Sequence, residues 1–531
     1  MSTRRVLVCI GLIGIGPLFA EPACESLATL PLPNTVIIAA ASVPAGTFTA
    51  LDGTVVPGVP AFCRVAGSIQ PTGDSDIHFE VWMPSSGWNG KFAGVDNGGY
   101  AGSINYAGMG GALSQNYAVA STDTGHEAFV VDASWALGHP EKIIDFGYRA
   151  IHETTEQSKA LVAAFYGEGP SHSFFVGCSN GGREALMEAQ RYPDDYDGIL
   201  AGAPANFWTH LMSGAVWGAQ ALTQNSASYI PAFKLPAIDA AVLQECDAVD
   251  GLADGLIEDP RKCDFDPSIL LCQGAETDSC LTAPQVDTLR KLYTGPRDSY
   301  GAQIFPGYLP GGQSGPNGWS LWVTGPLPGT SAMYYFGTEF FQDMVYNDAS
   351  WNYLTFDLDR DASAADRAMA AILNATDPDL RAFRNRGGKL ILFHGWSDPA
   401  IPTFNTINYY QNVLARMGRM SATSFVRLYL APGMQHCTGG AGPDSFGQGG
   451  FAQGDPQDDM EAALERWVEQ GTPPGKIIAT QYNTDSEPAS GVKRTRPLCP
   501  FPEVARYLGQ GSPDDATSFV CSGPTVRGGP R

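Results

Sequence analysis

Charge is scarce in this chain. Only 16% of its 531 residues are Asp, Glu, Lys or Arg, and the basic ones are the scarcer, 32 against 55 acidic, for a formal charge of -23. With a pI near 4.6, it is a poor partner for nucleic acid or an anionic membrane surface, which bind through clustered Lys and Arg. Long apolar runs are missing too. The N-terminal one, Val6 to Ile15, is too short to span a bilayer comfortably, and no other segment reaches the length needed. No C-x-x-C pair or Cys/His cluster suggests zinc, and there is no internal repeat or low-complexity tract. What is present is an ordinary globular composition, 44% apolar, long enough for one large domain with an insertion or for two or three domains. The 62 glycines and 39 prolines foretell many loops.

Arg4 and Arg5, the apolar core after them and the sequence Pro17-Leu18-Phe19-Ala20 read as a secretory signal peptide over residues 1–20. Cysteine usage agrees with export. Of 11 cysteines, Cys9 leaves with the signal, and an even set remains, which implies disulfides in a secreted chain. Spacing does not fix their connectivity, but Cys246 with Cys263 and Cys272 with Cys280 are the closest candidates.

Gly177-Cys178-Ser179-Asn180-Gly181 reads G-x-S-x-G, after an apolar run (SFFV) and before a helix-prone segment, Arg183 to Arg191. Strand, tight turn and helix are the context of a nucleophile elbow, so Ser179 is the candidate nucleophile. From about residue 75 to 205, strand-like runs (HFEVWMP, GKFAGV, YAVASTDTG, SFFVGCS, GILA) alternate with helical ones. The alternation resumes near Ala382 with KLILFH, a helix from Phe404 to Met417, and SFVRLYLA. It predicts a single α/β domain with a parallel sheet covered on both faces. Residues 206–377 interrupt it, rich in Trp, Tyr, Phe, Gly and Pro and without that alternation. They read as a lid inserted into a catalytic domain of residues 21–205 and 378–531.

A serine nucleophile needs a histidine base and an acid to orient it. In an α/β-hydrolase they follow in the order Ser, Asp or Glu, His, in loops after core strands. KLILFHGWSDPAIP supplies Asp398 and SFVRLYLAPGMQHC supplies His436. His126 is the loop rival, but it precedes the serine; His394, His139, His152 and His172 sit within or beside elements, where a structural histidine is the ordinary reading. The oxyanion hole calls for two backbone N–H groups, one from Asn180 and one from the loop Asp96-Asn97-Gly98-Gly99-Tyr100-Ala101-Gly102, at Gly98 or Gly99. In the insertion, Asp247, Asp250 and Asp254 interleave with glycines. Such a loop suits calcium, or it is a solvated acidic loop; the spacing is not that of an EF-hand.

GCSNGG, GWSDPAIP and GMQHC, in that order, resemble the tannase and feruloyl esterase family of serine hydrolases, with its Cys-Ser, Asp, His-Cys signature. The resemblance runs through the Gly-rich loop, RYPDDYDGILAGAPA, CDAVDGLADGLIED and TRPLCPFPEVARY, and so covers essentially the whole mature chain. It implies an α/β-hydrolase fold with a large inserted lid domain and a Cys178–Cys437 disulfide. It also implies a lid calcium, Ca2+, held by the side chains of Asp247, Asp250 and Asp254 and the carbonyls of Leu252 and Leu256. Members cleave hydroxycinnamoyl esters, galloyl esters and, in one branch, mono(2-hydroxyethyl) terephthalate. That branch is expected to hold the terephthalate carboxylate with a lid arginine, and Ser331 to Val345 offers none.

The expectation is a secreted or periplasmic carboxylic ester hydrolase acting on aromatic, feruloyl-type esters. Ser179, His436 and Asp398 form the triad, Gly99 and Asn180 the oxyanion hole. No organic cofactor, nucleic acid or membrane partner is called for. The alternatives are a galloyl esterase, a terephthalate mono-ester hydrolase and, from another class, a non-catalytic binding protein on the same fold. An intact Ser, Asp and His set argues against the last.

Overall fold

A computed structural model of the chain describes residues 23–449, 451, 454–484 and 487–523. The segment read as a signal peptide lies outside the described residues.

Nine strands form the central sheet: β1 (Thr35–Val43), β2 (Phe62–Ile69), β3 (Ile77–Pro84), β4 (Lys91–Val95), β5 (Ala118–Thr122), β6 (His172–Cys178), β7 (Gly198–Gly202), β8 (Lys389–Gly395) and β9 (Val426–Ala431). Their spatial order is β1-β2-β3-β5-β4-β6-β7-β8-β9. From β5 across to β9 all neighbours are parallel, but β3 is antiparallel to β2 and β5, and β1 to β2. The sheet is therefore mixed, not parallel throughout as the alternation suggested. The link between β2 and β3 is too short for a helical crossover, so these strands pair as a hairpin. The arrangement is an α/β-hydrolase fold.

Both faces are buried, as the apolar strands require. On β7 and β8, Ile199, Ala201, Leu390 and Leu392 face one core, while Leu200, Ile391 and Phe393 face the other. The first core is closed by α1 (Ala150–Tyr166), α2 (Asn180–Arg191) and a helix at Phe404–Met417, with the bounds the sequence indicated for the last. Helix Met460–Gln470 closes the second. Each large side chain so buried contributes roughly 1.5–3 kcal/mol.

The insertion leaves the sheet after β7 and returns before β8. It is helical: α3 (Trp208–Thr223), α4 (Leu235–Cys246), α5 (Ala283–Thr294), α6 (Ala332–Glu339) and α7 (Leu358–Leu373) build one apolar core of their own and share a second with Tyr100, Trp135, Phe146 and Ile401 of the sheet domain. Its ends meet at a narrow neck, where the Ala375 N–H donates to the Asn206 carbonyl at 2.8 Å. The C-terminal segment reaches back to it: Leu252 of the acidic loop packs against Cys499, Ala505 and Phe519.

Five disulfides cross-link the chain: Cys24–Cys63, Cys178–Cys437, Cys246–Cys263, Cys272–Cys280 and Cys499–Cys521. The two close pairs are those the spacing suggested, and Cys178–Cys437 is the one the resemblance implied. Such a complement fits an oxidising compartment. No helix among the described residues is long and apolar enough to cross a membrane.

Candidate active site

β6 ends at Cys178 and α2 begins at Asn180, so the reversal between them falls on Ser179, at φ 66° and ψ -122°. A non-glycine residue holds this conformation only where its surroundings enforce it, and here it lifts the hydroxyl clear of the backbone. The flanking glycines have a specific cause. A side chain at Gly181 would collide with the Asp96 carboxylate, which reaches under the turn and accepts the Cys178 N–H at 2.9 Å. Burial pushes the Asp96 carboxyl up to about 6 despite that bond.

Asp398 lies just beyond β8 and His436 just beyond β9, neighbouring parallel strands whose C-terminal ends open on the same side as Ser179. His436 Nε2 is 2.9 Å from Ser179 Oγ, and His436 Nδ1 is 2.8 Å from Asp398 Oδ2. An Nδ1–H donated to the carboxylate leaves Nε2 free to accept the serine proton. The Asp398 side chain is fully buried. Its Oδ1 accepts the N–H groups of Ala400 and Ile401 at 2.8 and 2.9 Å. Burial alone would raise this carboxyl, but the charge of His436 and hydrogen bonds from His394 and His436 hold it well below the usual carboxylate range.

Cys178 and Cys437, with Cα atoms 6.1 Å apart, tie the elbow to the histidine loop. Cys437, at φ 61°, is itself left-handed, so the bridge joins two constrained turns.

On the other side of the elbow lies the Gly-rich loop. Gly99 has φ 58°, and a Cβ there would strike the Val130 carbonyl, so only glycine fits. The Asn180 side chain donates to the Asn97 carbonyl at 3.2 Å and to Glu184 Oε1 at 3.0 Å, while Glu184 Oε2 accepts the Asn97 N–H at 3.3 Å. Glu184 and Asn180 thus set the distance between the start of α2 and the loop carrying Gly99. Burial pushes the Glu184 carboxyl up to about 8. The neighbouring Arg183, wholly buried, donates to Asn180 Oδ1 and to the carbonyls of Phe146 and Gly147.

A family model described as tannase and feruloyl esterase matches residues 63–522. The chain belongs to the tannase and feruloyl esterase family. It is a carboxylic ester hydrolase. Among its relatives, an uncharacterized esterase of Xanthomonas campestris pv. campestris is 44% identical over 97% of this chain and 94% of that protein. Mono(2-hydroxyethyl) terephthalate hydrolase of Piscinibacter sakaiensis is 35% identical over 96% and 93%. The crystal structure of feruloyl esterase B from Aspergillus oryzae superposes with a TM-score of 0.87 at 29% identity, covering 94% of this chain and 99% of that one.

In this tannase-family esterase the insertion reaches the triad. Trp322 presents its edge to the His436 ring at 4.8 Å and stacks with Phe336 at 6.4 Å, and Tyr100 Oη donates to the Phe336 carbonyl at 2.6 Å. The irregular stretch after Ile304 is pinned to the loop that carries His436. Gln435, beside His436, donates to the carbonyls of Gly312 and Ser314 at 2.9 and 2.8 Å.

Sequence reasoning passed over His394 as a structural residue. Wholly buried, it lies behind the triad, with Nε2 3.0 Å from Asp398 Oδ2 and 2.9 Å from the Ile401 carbonyl, and Nδ1 2.8 Å from Thr406 Oγ1. Two acceptors at Nε2 place the proton there. His394 and Asp398 stand four residues apart in HGWSD, a spacing that could have flagged the pair. His126, the loop rival, instead faces the Tyr100 carbonyl at 2.7 Å and stacks on Trp135, and burial pushes its imidazole down to about 4.

The acidic loop of the esterase supplies the hard oxygen donors that calcium takes. Asp247 Oδ1 and Oδ2 accept the Asp254 and Gly255 amides, Asp250 accepts the Leu252 amide, and Asp254 pairs with Arg496. Burial and the nearby Asp254 raise the Asp250 carboxyl. Glu258, four residues on, is buried with Oε2 lacking any donor. The close-set carboxylates and the one donorless oxygen, Glu258 Oε2, fit a bound cation. Among the described residues, though, the carboxylate oxygens of Asp247, Asp250 and Asp254 do not all lie within 4.8 Å of one another.

Proposed function

We propose that this protein is an exported esterase that cleaves aromatic, feruloyl-type carboxylic esters through a covalent acyl-enzyme. The observation that carries the reading is the continuous hydrogen-bonded line from Ser179 Oγ through His436 to Asp398. Ser179 attacks the ester carbonyl as His436 Nε2 takes its proton. Asp398 holds the imidazole in the required tautomer and stabilises its cation. The backbone N–H groups of Gly99 and Asn180 receive the tetrahedral oxyanion, at a spacing supported by the Glu184–Asn180–Asn97 bonds. His436 returns the proton to the leaving alcohol. Water, deprotonated by the same ring, then releases the aromatic acid.

The insertion serves as a lid. Trp322, partly exposed beside His436 and backed by the buried Phe336, supplies aromatic surface suited to a phenolic acyl group. Near Tyr100, α6 ends at Glu339 and the turn after it carries Asp343, whose carboxyls burial pushes up to about 7 and 6. With no Arg or Lys from Ser331 to Val345, this wall favours a neutral acyl group over one bearing a carboxylate, and so a feruloyl over a terephthalate ester. Calcium, held by the side chains of Asp247, Asp250 and Asp254 and the carbonyls of Leu252 and Leu256, would fasten the lid loop to the C-terminal segment and take no part in bond breaking.

Ser179→Ala tests the mechanism: hydrolysis of a chromogenic aryl ester should fall by at least ~10³-fold, and wild-type turnover would refute it. A panel of methyl ferulate, methyl gallate and mono(2-hydroxyethyl) terephthalate tests the substrate, with ferulate expected to turn over fastest. Metal analysis tests the calcium: one equivalent per chain and a lower Tm with chelator support it, and neither effect would sink it.

A further inference from the structure

One group of side chains lies outside everything described so far. His152 on α1, Glu188 on α2 and Asp195, in the turn between α2 and β7, bring one ligand atom each within 4.8 Å of one another. His152 Nδ1 is 2.6 Å from Asp195 Oδ2. Glu188 is only 1% exposed, and neither of its carboxylate oxygens meets any donor. Burial and the neighbouring Asp195 push the Glu188 carboxyl up, with Lys159 opposing, so the two carboxyls share a proton unless a cation takes its place between them.

We propose that His152, Glu188 and Asp195 bind a divalent zinc-class cation. One imidazole nitrogen and two carboxylates are the donor types such an ion takes, and three protein ligands leave a fourth position for water. Two carboxylates and a neutral imidazole also balance its two charges. His152 is partly exposed at 22%, giving the ion a route in from solvent, and its ring is held by stacking on Tyr192 at 3.8 Å and 6°. Glu156, 3.8 Å from the far nitrogen of the same ring, faces solvent at 58%. Lys159 donates to the Asp195 carbonyl rather than its carboxylate. The ion would join α1, α2 and the turn after α2, bracing the far end of the helix that Ser179 begins. The three ligands come from three separate elements, so no spaced motif announces them.

The test is calorimetric titration of Zn2+ into chelator-stripped enzyme, with calcium at saturation to fill the acidic loop. One equivalent should bind to the wild type and to Ser179→Ala. Glu188→Gln and His152→Gln, both close in shape, should each weaken binding at least ~10-fold. Cobalt substitution should give a visible d–d spectrum that the same variants lose. No binding by the wild type, or unchanged binding by Glu188→Gln, would overturn the site and leave the two carboxyls sharing a proton.

Discussion

Replacing Cys178 and Cys437 together by alanine should damage turnover far more than it damages the fold. The bridge spans a sequence separation of 259, so the chain-entropy model gives it about 5.5 kcal/mol of stabilisation. Unfolding entropy of about 2.1 cal/mol/K per residue, or about 1.1 kcal/mol/K over the whole chain, turns that into a fall in Tm of about 5 °C. The kinetic effect has a different origin. The bridge fixes Ser179 Oγ against His436 Nε2 at 2.9 Å, and a displacement of about 1 Å costs about 10²-fold in rate. Initial rates on an aryl ester should therefore show kcat reduced 10- to 100-fold with KM nearly unchanged. The control is Cys246→Ala with Cys263→Ala, a separation of 17. It should lose about 3 kcal/mol by the same formula and keep its kcat. Wild-type kcat in the first variant, or an equal loss in the control, would refute the positioning role.

His394→Ala removes a charge-assisted bond to Asp398 worth about 1.5–3 kcal/mol. It should lower kcat about 10- to 100-fold, move the acid limb of the pH–rate profile upward and leave KM unchanged, with partial rescue by His394→Gln; an unmoved profile argues against it. Glu184 is neutral in the fold up to about pH 8 but ionises near 4.5 when unfolded. The folded state therefore holds the extra proton in that window, and stability falls as pH rises through it. Glu184→Gln, neutral at every pH, should show a shallower fall in Tm between pH 5 and 8; equal slopes would contradict the assignment. Trp322→Ala should cost about 1 kcal/mol, roughly fivefold in kcat/KM, on aryl esters and much less on acetyl esters, as parallel rate measurements would reveal.

The parts legible in the sequence were those governed by local chemistry. The elbow, the loops of Asp398 and His436 and most core strands announce themselves through apolar runs and turn residues, because a doubly buried strand must be apolar along its whole length. The antiparallel edge was less legible: β3 reads like any other buried strand, and only the short link before it sets its direction. Partners carried on separate elements were not legible at all. Asp96 under the elbow, Glu184 beneath the Gly-rich loop and Gln435 beneath Gly312 are ordinary polar residues until the fold brings them together. His394 shows the limit of a sound rule: a buried histidine on a strand is usually structural, and this one is structural to Asp398.

The neck of the insertion has a consequence of its own. Because Asn206 and Ala375 meet across two hydrogen bonds, everything between them leaves and re-enters the sheet domain at nearly the same point. The insertion is still no free appendage: its Met333, Phe336 and Phe340 share one apolar core with Tyr100, Trp135 and Phe146, so a segment grafted at the neck must refill that core as well as close the two ends.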